Sequence, residues 1–280
     1  MHSFVIRYSG SYYIKCTNGG ASHSSEGIGD GIWSIFTICA ALFDAQEKSV
    51  IVIDEPELSV HPAMQKRIMD LLLEYSKDRQ IIVCTHSPYF ISWAAITNGA
   101  QLIRVVKEGR DSKCYGLTRD CSRFFCGMLR DLNNPHTLGI EANEVFFLED
   151  RIILVEGQED VVIYQRMARE LNISICGSFF GWGVGGADKM RAFLILFHNL
   201  GYQHVVALLD GDKAEQAENL RQEFAGTGYV IMTLKTDDIR DKPEHHISCK
   251  AGIANQNGHI KDEYREYAIE LLNAVNSALS

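Results

Sequence analysis

The chain has 280 residues, 46% of them apolar, and a net charge of −9. This length can hold one large domain or two ordinary ones, and the apolar fraction is sufficient for buried cores. The negative charge excludes a general polyanion-binding surface, so any contact with nucleic acid must come from local basic patches or from partner segments.

Cysteine usage and hydropathy indicate the compartment. The eight cysteines are scattered, no CxxC pair occurs, and several cysteines lie in apolar runs. This usage predicts reduced, structural thiols in a cytoplasmic protein, with a zinc site as the less favoured alternative. The N-terminal MHSFVIRYSG has no apolar signal core and no run reaches spanning length, so the sequence predicts neither export nor a membrane span.

The first part of the chain predicts an α/β layer. A hairpin is predicted over residues 4–16, followed by a glycine- and serine-rich loop over 17–29. Apolar runs and helical spacing then alternate. The predicted helices are 30–45 and 61–79, and the predicted buried strands are 49–54, 80–86 and 101–109. Strands that alternate with helices indicate a doubly wound α/β arrangement.

The second part repeats this alternation after a break. Residues 110–149 predict a short helical connector, and a domain boundary is expected near residue 150. Residues 236–261 are polar and irregular, and 262–279 predict a final helix. Between them, the predicted strands are 151–157, 173–177, 204–212 and 229–234, and the predicted helices are 160–172, 185–202 and 213–226.

A nucleotide site is indicated where two of the early strands end. Residues 49–62 read SVIVIDEPELSVHP. At the end of this strand, Asp54 would hold a magnesium ion through water, and Glu55 would orient or deprotonate the attacking water. His86 ends the next strand, where it can sense a γ-phosphate, although a lone histidine there is more often structural. Residues 24–27 precede a helix whose free N–H groups can receive a phosphate.

The order and spacing of these pieces resemble the C-terminal half of an ABC-type ATPase of the RecF and OLD kind, over about residues 22–106. The resemblance implies ATP as a cofactor and the following roles: Ser25 and Gly27 in the signature, Asp54 and Glu55 as the Walker B pair, Ser59 and His61 in the D-loop, and His86 as the switch. Glu26 stands between Ser25 and Gly27, which departs from the common serine-glycine-glycine form.

The phosphate-binding loop of such an ATPase is missing from the sequence. No GxxxxGK[ST] occurs in the chain, and this loop supplies the amide cradle and the lysine that hold the β- and γ-phosphates. We therefore expect a truncated or split ATPase that hydrolyses ATP poorly or not at all alone. The missing N-terminal segment or a partner chain would complete it, and the resemblance implies a homodimer.

Four carboxylates follow two later strands. Glu156 and Asp160 come from IILVEGQED, and Asp210 and Asp212 come from VVALLDGDK. Each run looks like a buried strand that delivers acids at its C-terminal end. Four carboxylates at one sheet edge would repel one another unless a divalent cation sat among them, and hard oxygen ligands suit Mg²⁺ or Mn²⁺. The alternative is that the acids cap helices and solvate strand ends.

Neighbouring residues extend this hypothesis. Side chains two apart in extended backbone point the same way, so Asp210 and Asp212 can share one metal region, and Gly211 would leave room for a phosphate or water. The glycines over 181–186 either approach a phosphate or form a plain loop. Further candidates are Lys189 and Arg191 for DNA phosphates, although exposed helix charges are the default interpretation, and His245 and His246 as less favoured metal ligands. The resemblance to OLD-like nucleases implies further acidic and lysine residues that complete the site. The corresponding stretch has no clear glutamate-centred pattern, but it contains Asp237, Asp238, Asp241, Lys242 and Lys250.

RIILVEGQED followed by LLDGDK resembles the Toprim fold of topoisomerases, primases and OLD-family nucleases. In that family such acids bind one or two Mg²⁺ or Mn²⁺ ions, and Glu156 could also act as a general acid or base. Two metals could activate water and stabilise the leaving oxygen in phosphodiester cleavage. The resemblance covers about residues 145–235.

Together the two resemblances indicate the OLD family of ATP-dependent endonucleases, associated with DNA processing and with defence against phage and plasmids. They imply a partial ABC-type ATPase lobe over 1–109, a connector over 110–149, a Toprim domain with a mostly parallel sheet over 150–240, and an extension with a helix over 241–280. Glu156, Asp160, Asp210, Asp212 and Glu55 would be catalytic, with DNA as the substrate. Two alternatives stay open: a regulatory module that docks on a full-length ATPase partner, and a Toprim enzyme that joins or synthesises nucleic acid.

Overall fold

A computed structural model describes residues 3–8, 12–18, 21–23, 29–130, 150–181, 183–242 and 250–280. The chain forms two compact units, Met1–Ser92 and Trp93–Ser280. The domain limits expected from the sequence, with a boundary near residue 150, stay a prediction. The α/β class is confirmed, because both units contain parallel strands joined through helices.

The first unit begins with a three-stranded antiparallel sheet. Its strands are β1 (Ser3–Tyr8), β2 (Tyr12–Asn18) and β3 (Ala21–His23), in that order. The hairpin predicted over 4–16 is confirmed by the pairing of β1 with β2. The loop predicted over 17–29 is wrong at β3, because backbone pairing with β2, from Asn18↔Ala21 to Cys16↔His23, satisfies polar groups that the composition alone assigns to a loop.

The rest of the first unit is a βαβ arrangement. Helix α1 (Asp30–Asp44) precedes strand β4 (Val50–Asp54), which pairs in parallel with β5 (Gln80–Cys84). Between the strands runs α2 (Pro62–Tyr75). It begins with proline, whose missing N–H costs nothing at that position. The core of this unit comprises Ile38, Leu42, Val60, Ile68, Leu72 and Phe90.

One face of the β4–β5 pair is open. Val50 is 58% exposed, Val52 64% and Ile82 43%. Alternate residues of the same strands, such as Ile51 and Ile81, are partly buried against the helical core. A two-stranded parallel sheet with an apolar open face is unusual, because parallel sheets are normally covered on both sides.

The second unit starts with a helix and a hairpin. Helix α3 (Trp93–Thr97) is followed by β6 (Ile103–Glu108) and β7 (Asp111–Gly116), which pair antiparallel, and then by α4 (Arg119–Arg130). The prediction of a buried strand over 101–109 is wrong in its burial. Among the described strands β6 pairs only with β7, and one face of it is in solvent. The connector predicted over 110–149 contains strand β7 as well as helix α4, and its residues 131–149 lie outside the described part.

A four-stranded parallel sheet carries the main core. Its strands are β8 (Arg151–Leu154), β9 (Ser178–Phe179), β10 (His204–Leu209) and β11 (Val230–Thr233), in the spatial order β11-β10-β8-β9. The strand predicted over 173–177 is shifted to β9. Four helices accompany the sheet: α5 (Gln158–Glu170), α6 (Ala187–Asn199), α7 (Ala214–Glu223) and α8 (Arg265–Ala278). Strands β8 and β10 are buried along nearly their whole length, as their unbroken apolar runs predict.

Residues 236–261, predicted to be irregular, contain a second small sheet. Strand β12 (Asp238–Arg240) pairs in parallel with β13 (Gly252–Ala254). Just beyond them, Lys242 and Lys250 form a bridge in which each backbone N–H donates to the other residue's carbonyl, at 3.0 and 3.3 Å. Two three-residue strands carry too little local pattern to be predicted, and their pairing depends on tertiary packing.

Within the described residues, no helix has the length and apolar character needed to cross a bilayer. The five cysteines whose side chains are described are free thiols, namely Cys39, Cys84, Cys114, Cys121 and Cys176.

Candidate functional site

The topology of the parallel sheet creates a crevice where acids collect. From β8 the chain passes to β9 on one side and later to β10 on the other, so the crevice lies outside the carboxyl ends of β8 and β10. Ligands of open α/β sheets bind at such a switch point. Glu156 follows β8 by two residues, and Asp210 follows β10 directly.

Glu156 is held in place from two directions. Its Oε1 accepts a hydrogen bond from the backbone N–H of Asp210 at 2.9 Å. Its own carbonyl oxygen accepts from the N–H groups of Gly185 and Gly186, at 2.9 and 2.8 Å. The glycine segment therefore fixes the backbone of Glu156, and these two N–H groups are not free to cradle a phosphate.

The glycine segment also packs closely on the start of α5. A Cβ at Gly183 would lie 2.8 Å from the backbone of Gly157, and Gly183 has a φ of +84°. Only glycine meets both conditions without strain. The phosphate-cradle hypothesis for these glycines is thus replaced by a packing role.

Asp160 lies in the first turn of α5. The sequence left open whether such an acid caps a helix or belongs to a cluster of acids, and Asp160 does both. Its Oδ2 accepts a hydrogen bond from the N–H of Gly157 at 2.8 Å, so it caps its own helix. It is also buried. Burial first, and then the charges of Glu156 and Asp238, raise its pKa from 3.8 to about 6.

Asp210 is the most strongly perturbed acid of the crevice. Burial first, and then the charges of Glu156, Asp238 and Asp160, raise its pKa to about 8, against a lowering by Lys242. Burial also raises the pKa of Glu156. An acid whose pKa is raised by the charge of other acids lies close to them. Such a group of carboxylates favours either a bound proton or a bound cation.

Asp212 faces lysines. Residues Gly211–Lys213 form a 3-10 turn, so the extended-strand argument for a shared Asp210 and Asp212 direction is wrong. The Asp212 Oδ2 accepts a hydrogen bond from Lys250 Nζ at 2.7 Å and lies 3.6 Å from Lys213 Nζ. Its charge still acts on Glu156, whose pKa it raises.

Gly211 allows close backbone packing, and that packing leaves no space for a phosphate. Its N–H donates to the carbonyl oxygen of Thr236 at 2.9 Å. A Cβ at this position would lie 2.3 Å from that same oxygen and 2.8 Å from the carbonyl oxygen of Leu234. The glycine is needed because the chain beyond β11 passes directly over the Asp210 turn.

Asp238 is an acid of the crevice that the sequence indicated only weakly. It is 1% exposed, and its charge raises the pKa of both Asp160 and Asp210. Lys242 Nζ lies 2.5 Å from its Oδ2, but the approach lacks hydrogen-bond geometry, so within the described residues this buried oxygen has a Coulombic contact and no directed hydrogen bond. The available signal was its position after β11, the neighbour of β10.

The donor set fits a divalent cation in its chemistry. Glu156, Asp160, Asp210 and Asp238 offer the hard oxygen donors that such cations prefer, and the buried Asp238 Oδ2 already contacts one cationic group, the Lys242 ammonium. Their geometry is not yet that of a coordination sphere. In the part of the chain that the structure describes, no three His, Cys, Asp or Glu side chains stand together in a group that could hold a metal ion.

Two further candidates of the second unit, Arg191 and Asp241, have local partners. Arg191 makes a two-pronged contact with Glu223, at 2.8 and 2.6 Å, so it is held by α7. Asp241 accepts from Lys261 Nζ at 2.6 Å. His245 and His246 lie outside the described residues.

In the first unit, the structure brings Glu55 and His86 together. The two residues follow β4 and β5, and His86 Nε2 lies 3.1 Å from Glu55 Oε1. Glu55 has a φ of +49°, which is strained for a residue other than glycine and is typical of functional sites. Asp54 is the last residue of β4, opposite Cys84. Ser25 and Gly27 lie outside the described residues.

The predicted D-loop is tied to the end of β5 by side chains. Glu57 accepts hydrogen bonds from the Thr85 hydroxyl at 2.7 Å and from the His86 N–H at 2.5 Å. Buried Gln65 donates to the Val60 carbonyl at 2.7 Å and accepts from the Ser87 hydroxyl at 2.5 Å. Two bridges therefore join the turn after β4 to the segment after β5.

Two residues assigned to the D-loop have structural roles. The Nδ1 of His61 accepts from the N–H of Ala63 at 3.2 Å and so caps α2. Ser59 has a φ of +60°, and its carbonyl oxygen would lie 2.2 Å from a Cβ at Gly31. Helix α1 can approach the D-loop this closely because residue 31 is glycine.

Two family models match parts of the chain. Residues 18–92 match an AAA domain whose description refers to the AbiEii toxin and type IV toxin–antitoxin systems. Residues 147–212 match the Toprim domain of proteins like the overcoming lysogenization defect protein. The second match ends at Asp212 and includes Glu156, Asp160 and Asp210.

Two curated relatives are similar to this chain. An OLD nuclease of Thermus scotoductus is 32% identical over 160 residues, which is 52% of this chain and 28% of the relative. Endonuclease GajA of Bacillus cereus is 22% identical over 270 residues, which is 92% of this chain and 44% of the relative. The chain thus spans less than half the length of either. A solved SMC ATPase is 21% identical over 46% of this chain and 82% of that chain, at a TM-score of 0.36, which is too low to carry an argument.

Proposed function

The chain belongs to the OLD family of ATPase–Toprim proteins, and from this premise we propose that it hydrolyses phosphodiester bonds of DNA with Mg²⁺ or Mn²⁺. One observation carries the proposal. Glu156 accepts a hydrogen bond from the Asp210 N–H at 2.9 Å at the carboxyl ends of adjacent parallel strands. After burial, the charge of Glu156 is the next cause of the raised pKa of both Asp160 and Asp210. All three acids lie inside the segment that matches the OLD-like Toprim model.

The proposed metal ligands are Glu156, Asp160, Asp210 and Asp212, with Asp238 added by the geometry. A bound divalent cation supplies an activated water and neutralises charge on the leaving oxygen. Two residues of the chain determine the state of the site before a cation binds. The Asp210 N–H orients the Glu156 carboxylate, and the Asp210 carboxyl must lose its proton before it can serve as an anionic ligand.

The first unit would supply the ATP side of the function. Asp54 and Glu55, with Ser25, Gly27, Ser59 and His86, are the proposed nucleotide residues. The contact between Glu55 and His86 at 3.1 Å supports a shared site at the ends of β4 and β5. Since the sequence has no GxxxxGK[ST], the phosphate loop would come from another segment or chain. A homodimer, and a role in DNA processing or in defence against phage and plasmids, are carried over from the family resemblance.

A second candidate function is a binding module that docks on a complete ATPase partner. The open face of β4–β5, with Val50, Val52 and Ile82 in solvent, favours it. In this case the chain would change the activity of its partner without cutting DNA itself.

A plasmid assay separates the two candidates. The purified chain is incubated with supercoiled plasmid and Mg²⁺ or Mn²⁺, and nicked and linear products are measured. We expect cutting that EDTA stops and that Asp210→Asn and Glu156→Gln abolish. The matched control is Glu270→Gln, which removes an exposed carboxylate on α8 and should cut like wild type. Cutting that persists in Asp210→Asn would contradict the assigned site, and no cutting with either metal would favour the binding module.

A further inference from the structure

Two lysine ammonium groups stand among the acids of the crevice. Lys242 Nζ is 2.5 Å from Asp238 Oδ2, and Lys250 Nζ is 2.7 Å from Asp212 Oδ2. The Lys250 contact is a hydrogen bond, whereas the Lys242 contact lacks that geometry. Both lysines also act electrostatically on Asp210, the central acid.

Both ammonium groups are delivered by one backbone feature. Lys242 and Lys250 are the two residues of the bridge beyond β12 and β13, held by reciprocal hydrogen bonds of 3.0 and 3.3 Å. A shift of this bridge would move both side chains at once. Each lysine is partly open to solvent, with 42% of the Lys242 side chain and 31% of the Lys250 side chain exposed, so each has room to move outward.

The lysines determine where two of the acids point. Asp212 and Asp238 both direct a carboxylate oxygen at an ammonium group. Two acids are therefore engaged by ammonium groups, and among the described residues no three His, Cys, Asp or Glu side chains form a group that could hold a metal. An ammonium and a divalent cation compete for the same carboxylate oxygens, because both bind them by charge.

We propose that Lys242 and Lys250 are internal counter-cations that hold the carboxylate crevice together without metal and leave Asp238 and Asp212 when a divalent cation binds. The proposal rests on the metal-dependent function proposed above. In it the two lysines are positioning residues that set the affinity for the cation. Removal of either lysine takes away a competitor, so the affinity rises.

The first test is direct metal binding by the full chain. Free Mn²⁺ is measured by electron paramagnetic resonance during titration of metal-free wild type, Lys242→Met, Lys250→Met and the double variant. We expect each single variant to bind Mn²⁺ about fivefold tighter, the effect of losing one partly exposed ion pair. The matched control is Lys261→Met, which removes a similar 2.6 Å ion pair with Asp241. Asp241 is not among the acids whose charges raise the pKa of Asp160 or Asp210. It should bind like wild type.

The second test needs no substitution and so does not depend on a variant that folds. Wild type is treated with an amine-reactive reagent, with and without Mn²⁺, and the modified lysines are quantified by mass spectrometry. Lys242 and Lys250 should react faster with Mn²⁺ present, because their ammonium groups move off the acids. Lys261 should react at the same rate in both conditions.

The outcomes separate this proposal from the proposed function. If wild type binds Mn²⁺ while the lysine variants match the Lys261→Met control and the reactivities do not change, only the counter-cation proposal is overturned. If neither wild type nor the double variant binds Mn²⁺, both proposals are overturned. Binding by the double variant alone would support the counter-cation proposal, and it would show that the lysines block the wild-type crevice.

Discussion

Asp210→Asn should stabilise the metal-free protein at high pH and leave it nearly unchanged at low pH. Asparagine keeps the shape of the side chain but cannot ionise. The backbone N–H of residue 210, which donates to Glu156, is retained. The variant therefore tests the charge of this one carboxylate.

The sign and size of the effect follow from the surroundings of Asp210. Burial first, and then Glu156, Asp238 and Asp160, raise the pKa of Asp210 from 3.8 to about 8 in the folded protein. Between these values the folded protein holds a proton that the unfolded chain has lost, so stability falls as the pH rises through this window. The difference of about four pH units corresponds to at most about 6 kcal/mol. Because neighbouring acids share the proton, we expect about 2–3 kcal/mol.

The measurement is chemical denaturation in EDTA at several pH values from about 3.5 to about 9, a range that includes both the unfolded and the folded pKa of Asp210. The free energy of unfolding of Asp210→Asn minus that of wild type should grow from about zero at the lowest pH to about 2–3 kcal/mol at the highest. Glu270→Gln, on the exposed surface of α8, should show no such trend. A difference between Asp210→Asn and wild type that does not change with pH would refute the reasoning about the crevice.

Three further expectations concern other parts of the chain. The chain alone should hydrolyse ATP at background rate, because its sequence contains no phosphate loop, and steady turnover that Glu55→Gln abolishes would refute this. Gly211→Ala should destabilise the fold by roughly 2–4 kcal/mol in denaturant unfolding, because its Cβ would lie 2.3 Å from a backbone oxygen. The control is Gly127→Ala in α4, which should not destabilise the fold because a Cβ there meets nothing within 4 Å. Gln65→Leu should lower the melting temperature of the first unit, because the buried Ser87 hydroxyl and the Val60 carbonyl lose their hydrogen-bond partner. The expected cost is about 1–3 kcal/mol. An unchanged melting temperature would show that these two hydrogen bonds contribute little stability.

Local patterns were sufficient for the long elements. The helices α1, α2, α6 and α8 and the strands β4, β8 and β10 all lie within or close to the predicted ranges. Their apolar spacing repeats over enough residues to distinguish a helix from a strand. The short strands β3, β12 and β13 were missed, since each has only three residues and is held by pairing with another segment.

Sequence patterns also failed for glycines whose role is set by contacts with residues distant in sequence. Gly211 follows the pattern of a phosphate-accommodating glycine, yet the backbone of residues 234–236 occupies that space. The glycines before α6 follow the pattern of an anion cradle, yet Gly185 and Gly186 donate to the Glu156 carbonyl. In both cases the partner is more than 20 residues away, and the sequence does not reveal the contact.

By itself the sequence determined the α/β class, the two family resemblances, and the placement of acids after strands β8 and β10, because these depend on periodicity and on short motifs. Tertiary structure alone decided that Asp238 joins Glu156, Asp160 and Asp210, and that Lys242 and Lys250 face two of the acids. Apart from the contact between Lys242 and Asp238, which are four residues apart, these contacts join distant segments, with 38 residues between Asp212 and Lys250 and 54 between Glu156 and Asp210. They form only when the strands pack side by side, and the charge of a crevice is the sum over every side chain that packing brings to it.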